Sequence, residues 1–446
     1  MNYKQFLKCL LTIAILFCAL TNIRAQEMES TEANTPDENV VLQWNRVLQQ
    51  TISTPGQHPA TIFQTRPYAM MHAAIFDAVN SIDGTYTPYL IEVPRSGRAS
   101  RDDTTIFYIG PSSREAAAAQ AAHDVLVALY PTRATVFDTE LANSLNGISP
   151  RQAGEGIRVG QIVAARILAV RANDGWNVTP PSYVLPPTPG NWQLAPGNTI
   201  ATFTHYPGVL PFAIGSATRF MSNPPPAMTS DEYARDFNEV KALGSATSTT
   251  RTADQTQIAQ VWAGVNTPTN LFAIWNTVAR NIAIQRNTTT AENARLFALL
   301  NISSHDTLQT TFAGKYQYGL WRPVTAIRRA DEDGNPNTAP DVNWTSLIAN
   351  PAYPTYPGNQ TGMGMSQATI LALFFGRDDI PYQSTWEGAG GATRSYAGFH
   401  QMANEQGRSR VYGGIHFEFD QVAGQSAGRN VANYVFLNFM KPRSNN

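Results

Sequence analysis

Four side chains in the last third of the sequence have the types and order of an anion site. Lys315 opens the string Lys315-Tyr316-Gln317-Tyr318-Gly319-Leu320-Trp321-Arg322-Pro323, and Arg410 and His416 bracket Val411-Tyr412-Gly413-Gly414-Ile415. Between them runs Tyr353-Pro354-Thr355-Tyr356-Pro357-Gly358-Asn359-Gln360, a Pro/Gly loop leading into a helix-like segment. Two guanidiniums and one ammonium can neutralise a multiply charged tetrahedral anion through charge-assisted hydrogen bonds. A glycine turn that opens a helix adds backbone N–H groups, here from Gly358 and Asn359. An imidazole beside such a cage can ligate a metal centre or attack phosphorus. Any one of these residues alone reads as a surface cation; three ordered elements point to one site. Lys315 and Arg322 are seven apart, two helical turns, so the spacing predicts a shared helix face.

These residues need a helical scaffold, and the apolar periodicity supplies one. Val40, Val41, Trp44, Val47 and Leu48 mark the first helix. Further helices are predicted over Arg66–Ile82, Ala116–Tyr130, Gln152–Asn173, Asp231–Leu243, Thr252–Val265, Leu271–Gln285, Thr290–Ser304, Gly362–Gly376 and Ala427–Met440. His400 sits on another, and Glu292 suits the first turn of the one that Thr290 opens. Residues 176–227 are rich in proline and glycine and predict a long irregular segment that lies across the helical core and walls the site. Residues 331–343 read as a turn-rich loop around Asp333-Gly334-Asn335-Pro336. Clean period-two strands are almost absent. The expected fold is all-α, a single helical domain over residues 39–442 with its motifs in 306–420.

Composition narrows the function classes. The chain has 446 residues, 15% charged and 43% hydrophobic, which suits a globular enzyme. Residues 1–25 read as a secretory signal, with Lys4 and Lys8 before the apolar run Cys9–Leu20, and residues 26–38 as a disordered leader. Removing the signal takes both cysteines and three of the 32 basic residues but no acids, leaving a net charge of -4. Thiol catalysis and thiolate-bound zinc are thereby excluded, and broad attraction to nucleic acid or anionic membranes is not expected. The expected location is secreted or periplasmic in a bacterial cell, without stable membrane insertion. Asn359-Gln360-Thr361 is a glycosylation sequon inside the site, and a glycan there would block it. None of the seven histidines has a zinc-protease spacing, and no phosphate-binding P-loop, dinucleotide fingerprint or nucleophile elbow is present. His72 and His123, in Ala-rich helices, read as core or interface residues.

With these residues in hand, the chain resembles the vanadium-dependent haloperoxidases, which share their site with the type-2 phosphatidic acid phosphatases and bacterial acid phosphatases. Lys315, six residues, then Arg322-Pro323 matches the first family motif; Ser409-Arg410, five residues, then His416 matches the third. Arg66–Ile82 and Asn293-Ala294-Arg295 also look like bacterial members, so the likeness covers the chain from about residue 40 onward. The resemblance implies that His416 binds vanadium, or acts as the phosphohistidine-forming nucleophile of a phosphatase. Lys315, Arg322 and Arg410 would bind the equatorial oxygens, and Asp306 would orient the arginines. Vanadate is the implied cofactor, and phosphate can occupy the same site. The implied partners are hydrogen peroxide and a halide, or a small phosphate ester; related proteins suggest a homodimer.

The second motif departs from the pattern. Where the family shows Pro-Ser-Gly-His, this sequence has Pro357-Gly358-Asn359-Gln360. Gly358 loses a hydroxyl donor, and Gln360 replaces the acid–base histidine. Glutamine can donate a hydrogen bond to an apical oxygen but cannot exchange a proton near neutral pH. Such proton transfer is worth roughly 100- to 10,000-fold in rate. A departing alkoxide needs that proton more than a small peroxide does, which favours the peroxidase over the phosphatase. A third outcome is a degenerate homologue that binds the oxyanion without turnover. His305 and His400 are the candidates to replace the missing acid–base group. Phe312, one turn before Lys315, is a core aromatic or the wall of a halide pocket.

Overall fold

The computed structural model describes residues 38–58, 62–91, 112–264 and 270–443. The expected signal and most of the expected leader, residues 1–37, lie outside them. In the first half the helices are α1 (Val40–Ser53), α2 (Thr65–Asp83), α3 (Arg114–Leu129), α4 (Ala134–Leu145), α5 (Pro150–Arg171) and α6 (Asp231–Leu243). In the second half they are α7 (Ala253–Val261), α8 (Ile274–Gln285), α9 (Thr290–Tyr318), α10 (Pro323–Arg328), α11 (Asn359–Phe375), α12 (Phe399–Tyr412) and α13 (Glu418–Asn438). No helix among the described residues is long and apolar enough to cross a membrane.

The molecule is mostly helical, as the sequence predicts. One antiparallel hairpin departs from the all-helical expectation: β1 (Tyr382–Trp386) pairs with β2 (Ala392–Tyr396), Tyr382 opposite Tyr396 and Trp386 opposite Ala392. Ser384 and Trp386 are buried while Gln383 and Thr385 are exposed, so the period-two signal exists but spans only five residues. Helix α4 was not apparent in the sequence because Phe137 is its one buried residue.

Helix α9 is the centre of the fold. It runs 29 residues, well past Ser304 where the periodicity suggested its end. Asn293 through Lys315 are buried on every side, so no polar face alternates with an apolar one, and period-based reading fails there. Thr289 and Glu292 form a capping box at its start, one residue earlier than Thr290: the Thr289 N–H donates to Glu292 at 2.8 Å, and the Glu292 N–H to the Thr289 hydroxyl at 3.3 Å. At the other end Gly319 adopts φ 57°, ψ 29°, a left-handed C-cap. A Cβ there would also lie 2.6 Å from Leu185 and 2.7 Å from the Tyr183 hydroxyl, so only glycine fits the turn.

Helix α9 packs on α2, α11 and α13, and α11 lies closely along α13. A Cβ on Gly424 of α13 would sit 2.1 Å from the Gly358 carbonyl oxygen, so the two backbones touch. Gly424→Ala is therefore expected to cost about 1–3 kcal/mol by overpacking. The denaturant midpoint should fall accordingly, and an unchanged midpoint would show that this close approach is not needed.

The Pro-rich segment 176–227 crosses α9 and is fastened to it. The Phe212, Ala213 and Ile214 N–H groups donate to the Asp306 carboxylate at 2.8, 2.7 and 3.1 Å. Asp306 was expected to orient the active-site arginines; it anchors this strap instead, because its position on α9 faces the strap's backbone donors. Gln309 adds a bond to the Val209 carbonyl at 2.9 Å. Trp192 N–H donates to Gly319 O, and Trp321 N–H to Gly190 O, so the strap also covers the end of α9. A secondary core of Tyr233, Phe237, Trp321, Tyr356, Phe417 and Phe419 lies beneath the loops that follow.

Candidate oxyanion site

Lys315 lies in the last turn of α9, fully buried, where an ammonium also complements the helix dipole. Its Nζ donates to the Pro354 and Thr355 carbonyls at 3.0 and 2.7 Å. Arg322 does not share a helix face with it, contrary to the spacing argument. The chain reverses at Gly319, and Arg322 becomes the N-cap position of α10 ahead of Pro323. The two cations meet through the same loop: Arg322 Nε donates to the Tyr353 carbonyl at 2.9 Å. The Tyr353 ring lies 5.2 Å from Lys315 Nζ and 5.0 Å from the Arg322 guanidinium, within cation–π range. Phe312 backs this ring at 5.1 Å and is fully buried, a core role behind the site.

Arg410 lies in the last turn of α12 and donates to the Trp262 carbonyl at 2.8 Å. His416 follows the Gly413-Gly414 turn that separates α12 from α13. Arg322 Nη1 donates to the Ile415 carbonyl at 2.8 Å and to His416 Nε2 at 3.2 Å. On the far side of the ring, His416 Nδ1 is 2.8 Å from Asp420 Oδ2. A carboxylate there fixes the proton on Nδ1 and leaves the Nε2 lone pair toward the arginine. Asp420 is the member of this cluster that did not stand out in the sequence. Its signal was the spacing of four from His416 at the start of a helix, where the Phe417 N–H also donates to it at 3.0 Å.

The charges are poorly balanced. Burial and the neighbouring Arg322 hold the Lys315 ammonium well below its ordinary range. Burial lowers Arg322, and burial with Arg322 nearby brings Arg410 down to about 10. Burial and the three cations keep the His416 imidazole neutral, well below its usual range. Burial pushes Asp420 up to about 7. Three buried cations thus face one reluctant carboxylate. Arg322 Nη2, Arg410 Nε and Asn359 Nδ2 are buried donors with no hydrogen-bond partner. Unpaired buried donors are costly, so a set of them beside surplus positive charge suits an anion with several acceptor oxygens. Vanadate and phosphate both fit this donor set.

The loop-to-helix junction differs in part from expectation. The Gly358 N–H donates to the Asp420 carbonyl at 2.8 Å, so it is not free for an anion. Asn359 and Gln360 open α11, Asn359 buried and Gln360 half-buried with its Oε1 unpartnered. Asn359 and Thr361 are 1% and 0% exposed, so a glycan on Asn359 is sterically incompatible with this fold. Neither histidine candidate replaces the missing acid–base group. His305 bonds to Thr65 at 3.0 Å, ten residues and about 15 Å up α9 from Lys315. His400 pairs with Asp378 at 2.7 Å in an open cleft beside Arg429 and Asn433. His72 is a buried core residue bonded to Asn45, as its helix context suggested.

Residues 295–445 match the family model described as the VCPO second helical-bundle domain. This stretch is similar to the vanadium haloperoxidases. The chain is 24% identical to the vanadium chloroperoxidase of Curvularia inaequalis over 444 residues, covering 79% of this chain and 69% of that protein. The fold is similar to that of the first bacterial vanadium-dependent iodoperoxidase, with a TM-score of 0.74 and 21% identity over 91% of this chain and 96% of the other. It is also similar to a holo-type bacterial vanadium-dependent chloroperoxidase, with a TM-score of 0.65 and 18% identity over 86% and 93% of the two chains. All four residues that pointed to the family from sequence, Lys315, Arg322, Arg410 and His416, lie within the matched region, as does Asp420.

Proposed function

We propose that this chain is an exported haloperoxidase-like enzyme that oxidises a halide with hydrogen peroxide at a vanadate held on His416. One observation carries the reading: buried, unpaired guanidinium donors and a surplus of positive charge surround an imidazole whose Nδ1 is committed to Asp420. Vanadate bound there would supply Lewis-acid activation of peroxide for oxygen transfer to halide, with no change in its own oxidation state. The protein's part is electrostatic. Lys315, Arg322 and Arg410 would hold the oxyanion's oxygens and balance charge developing on them. Asp420 keeps the proton on Nδ1 so that Nε2 can act as a ligand. Gln360 can donate a hydrogen bond but exchanges no proton, so solvent would deliver the protons that peroxide needs. That demand weighs against phosphate-ester hydrolysis, where the leaving alkoxide must be protonated. Export is part of the proposal, supported by the signal-like residues 1–25.

The test uses the purified mature chain with vanadate, peroxide and iodide or bromide, beside a chromogenic phosphate ester, each against His416→Ala. Vanadate-dependent halide oxidation that disappears in His416→Ala is the expected result. Ester hydrolysis inhibited by vanadate would select the phosphatase. Tight vanadate binding without either activity would select a binding homologue.

A further inference from the structure

We infer that Thr355 is a positioning residue that restrains the pull of Asp420 on His416 and joins that pair to Lys315. The inference rests on the anion site proposed above.

Thr355 is fully buried, and each of its polar groups goes to a different part of the site. Its carbonyl accepts from Lys315 Nζ at 2.7 Å, and its N–H donates to the Leu320 carbonyl at 3.0 Å, two residues before Arg322. Its hydroxyl donates to Asp420 Oδ2 at 2.5 Å and lies 3.1 Å from His416 Nδ1. The same Oδ2 accepts from His416 Nδ1 at 2.8 Å and from the Phe417 N–H at 3.0 Å, while Asp420 Oδ1 has no partner. One carboxylate oxygen therefore serves three donors. Electron density shared among three hydrogen bonds leaves each weaker than it would be alone.

The consequence reaches the ligand atom. A carboxylate that pulls harder on Nδ1–H makes Nε2 more basic and a stronger ligand. The Thr355 hydroxyl competes with the imidazole for Oδ2 and so moderates Nε2. A buried threonine that served only the core would be a neutral filler, and losing its hydroxyl would loosen the site. Competition for Oδ2 predicts the opposite sign.

The experiment compares wild type, Thr355→Val and Thr355→Ser as full chains labelled with 15N-histidine. The His416 Nδ1 proton is assigned by its loss in His416→Gln. Without added anion, Thr355→Val is expected to move this resonance downfield, and Thr355→Ser to leave it at the wild-type position. With vanadate, Thr355→Val is expected to bind at least about threefold more tightly than wild type, and Thr355→Ser like wild type. An unmoved Nδ1 proton in folded Thr355→Val, or vanadate binding weakened in Thr355→Val, overturns the inference. Should wild type bind no vanadate, the functional proposal fails, while the proton resonance still decides the role of Thr355.

Discussion

Vanadate binding is expected to fall at least about 100-fold in Arg322→Lys, although the charge is kept. Arg322 is fully buried and divides its fork: Nε goes to the Tyr353 carbonyl, Nη1 to the Ile415 carbonyl and His416 Nε2, and Nη2 is left without a partner. A lysine has one compact donor head and cannot hold the loop carbonyls and the anion together. A hydrogen bond to a charged group contributes about 1.5–3 kcal/mol, and two factors of ten in affinity correspond to about 2.7 kcal/mol. Equilibrium dialysis with vanadate, and with phosphate as a redox-silent probe, reads the loss directly. Binding within threefold of wild type would mean that the guanidinium geometry is not what recognises the oxyanion. Thermal melts offer a second readout. An anion that relieves repulsion among Lys315, Arg322 and Arg410 binds only the folded chain, and at 100 times its Kd it stabilises by about 2.7 kcal/mol. That gain should shrink in Arg322→Lys.

Gln360→His is the second large effect, in the opposite direction. Position 360 lies in the first turn of α11, after the Pro357-Gly358 turn, and is half-buried. Restoring a group that exchanges protons near neutral pH is expected to raise halide oxidation about 100-fold, the low end of what general acid–base catalysis contributes. It should also bring a new pH dependence. Wild-type turnover lacks a titrating residue at 360, whereas the variant gains a step where the new imidazole titrates, near 6.5 unless the cations lower it. Steady-state rates from pH 5 to 8 for both proteins decide the matter. Equal rates and superimposable profiles would show that proton delivery does not limit this site.

The two variants probe parts of the site that were unequally legible. Lys315, Arg322, Arg410 and His416 stood out because their residue types are few in number and their spacings fixed. Asp420 did not, since an acid near a helix start has an ordinary capping explanation. Thr355 was hidden more completely: nothing in Tyr353-Pro354-Thr355-Tyr356 says which way a hydroxyl points. Asp306 failed for the same reason, because facing the strap or the arginines depends on how α9 is rotated against residues 212–214. His305 and His400 were reasonable candidates only until their helices were placed.

The sequence by itself determined the helical class, most helix positions and the cationic members of the site, because these follow from local periodicity and from which side chains can carry positive charge. Tertiary structure decided how the cations meet. Lys315 and Arg322 converge not along one helix but across a left-handed turn at Gly319, both fastened to carbonyls of the 353–355 loop. The link of Thr355 to His416 and Asp420 was likewise decided there. Hydrogen bonds between residues 61 to 65 positions apart depend on packing of α11 against α13, and no local preference of the chain encodes that contact.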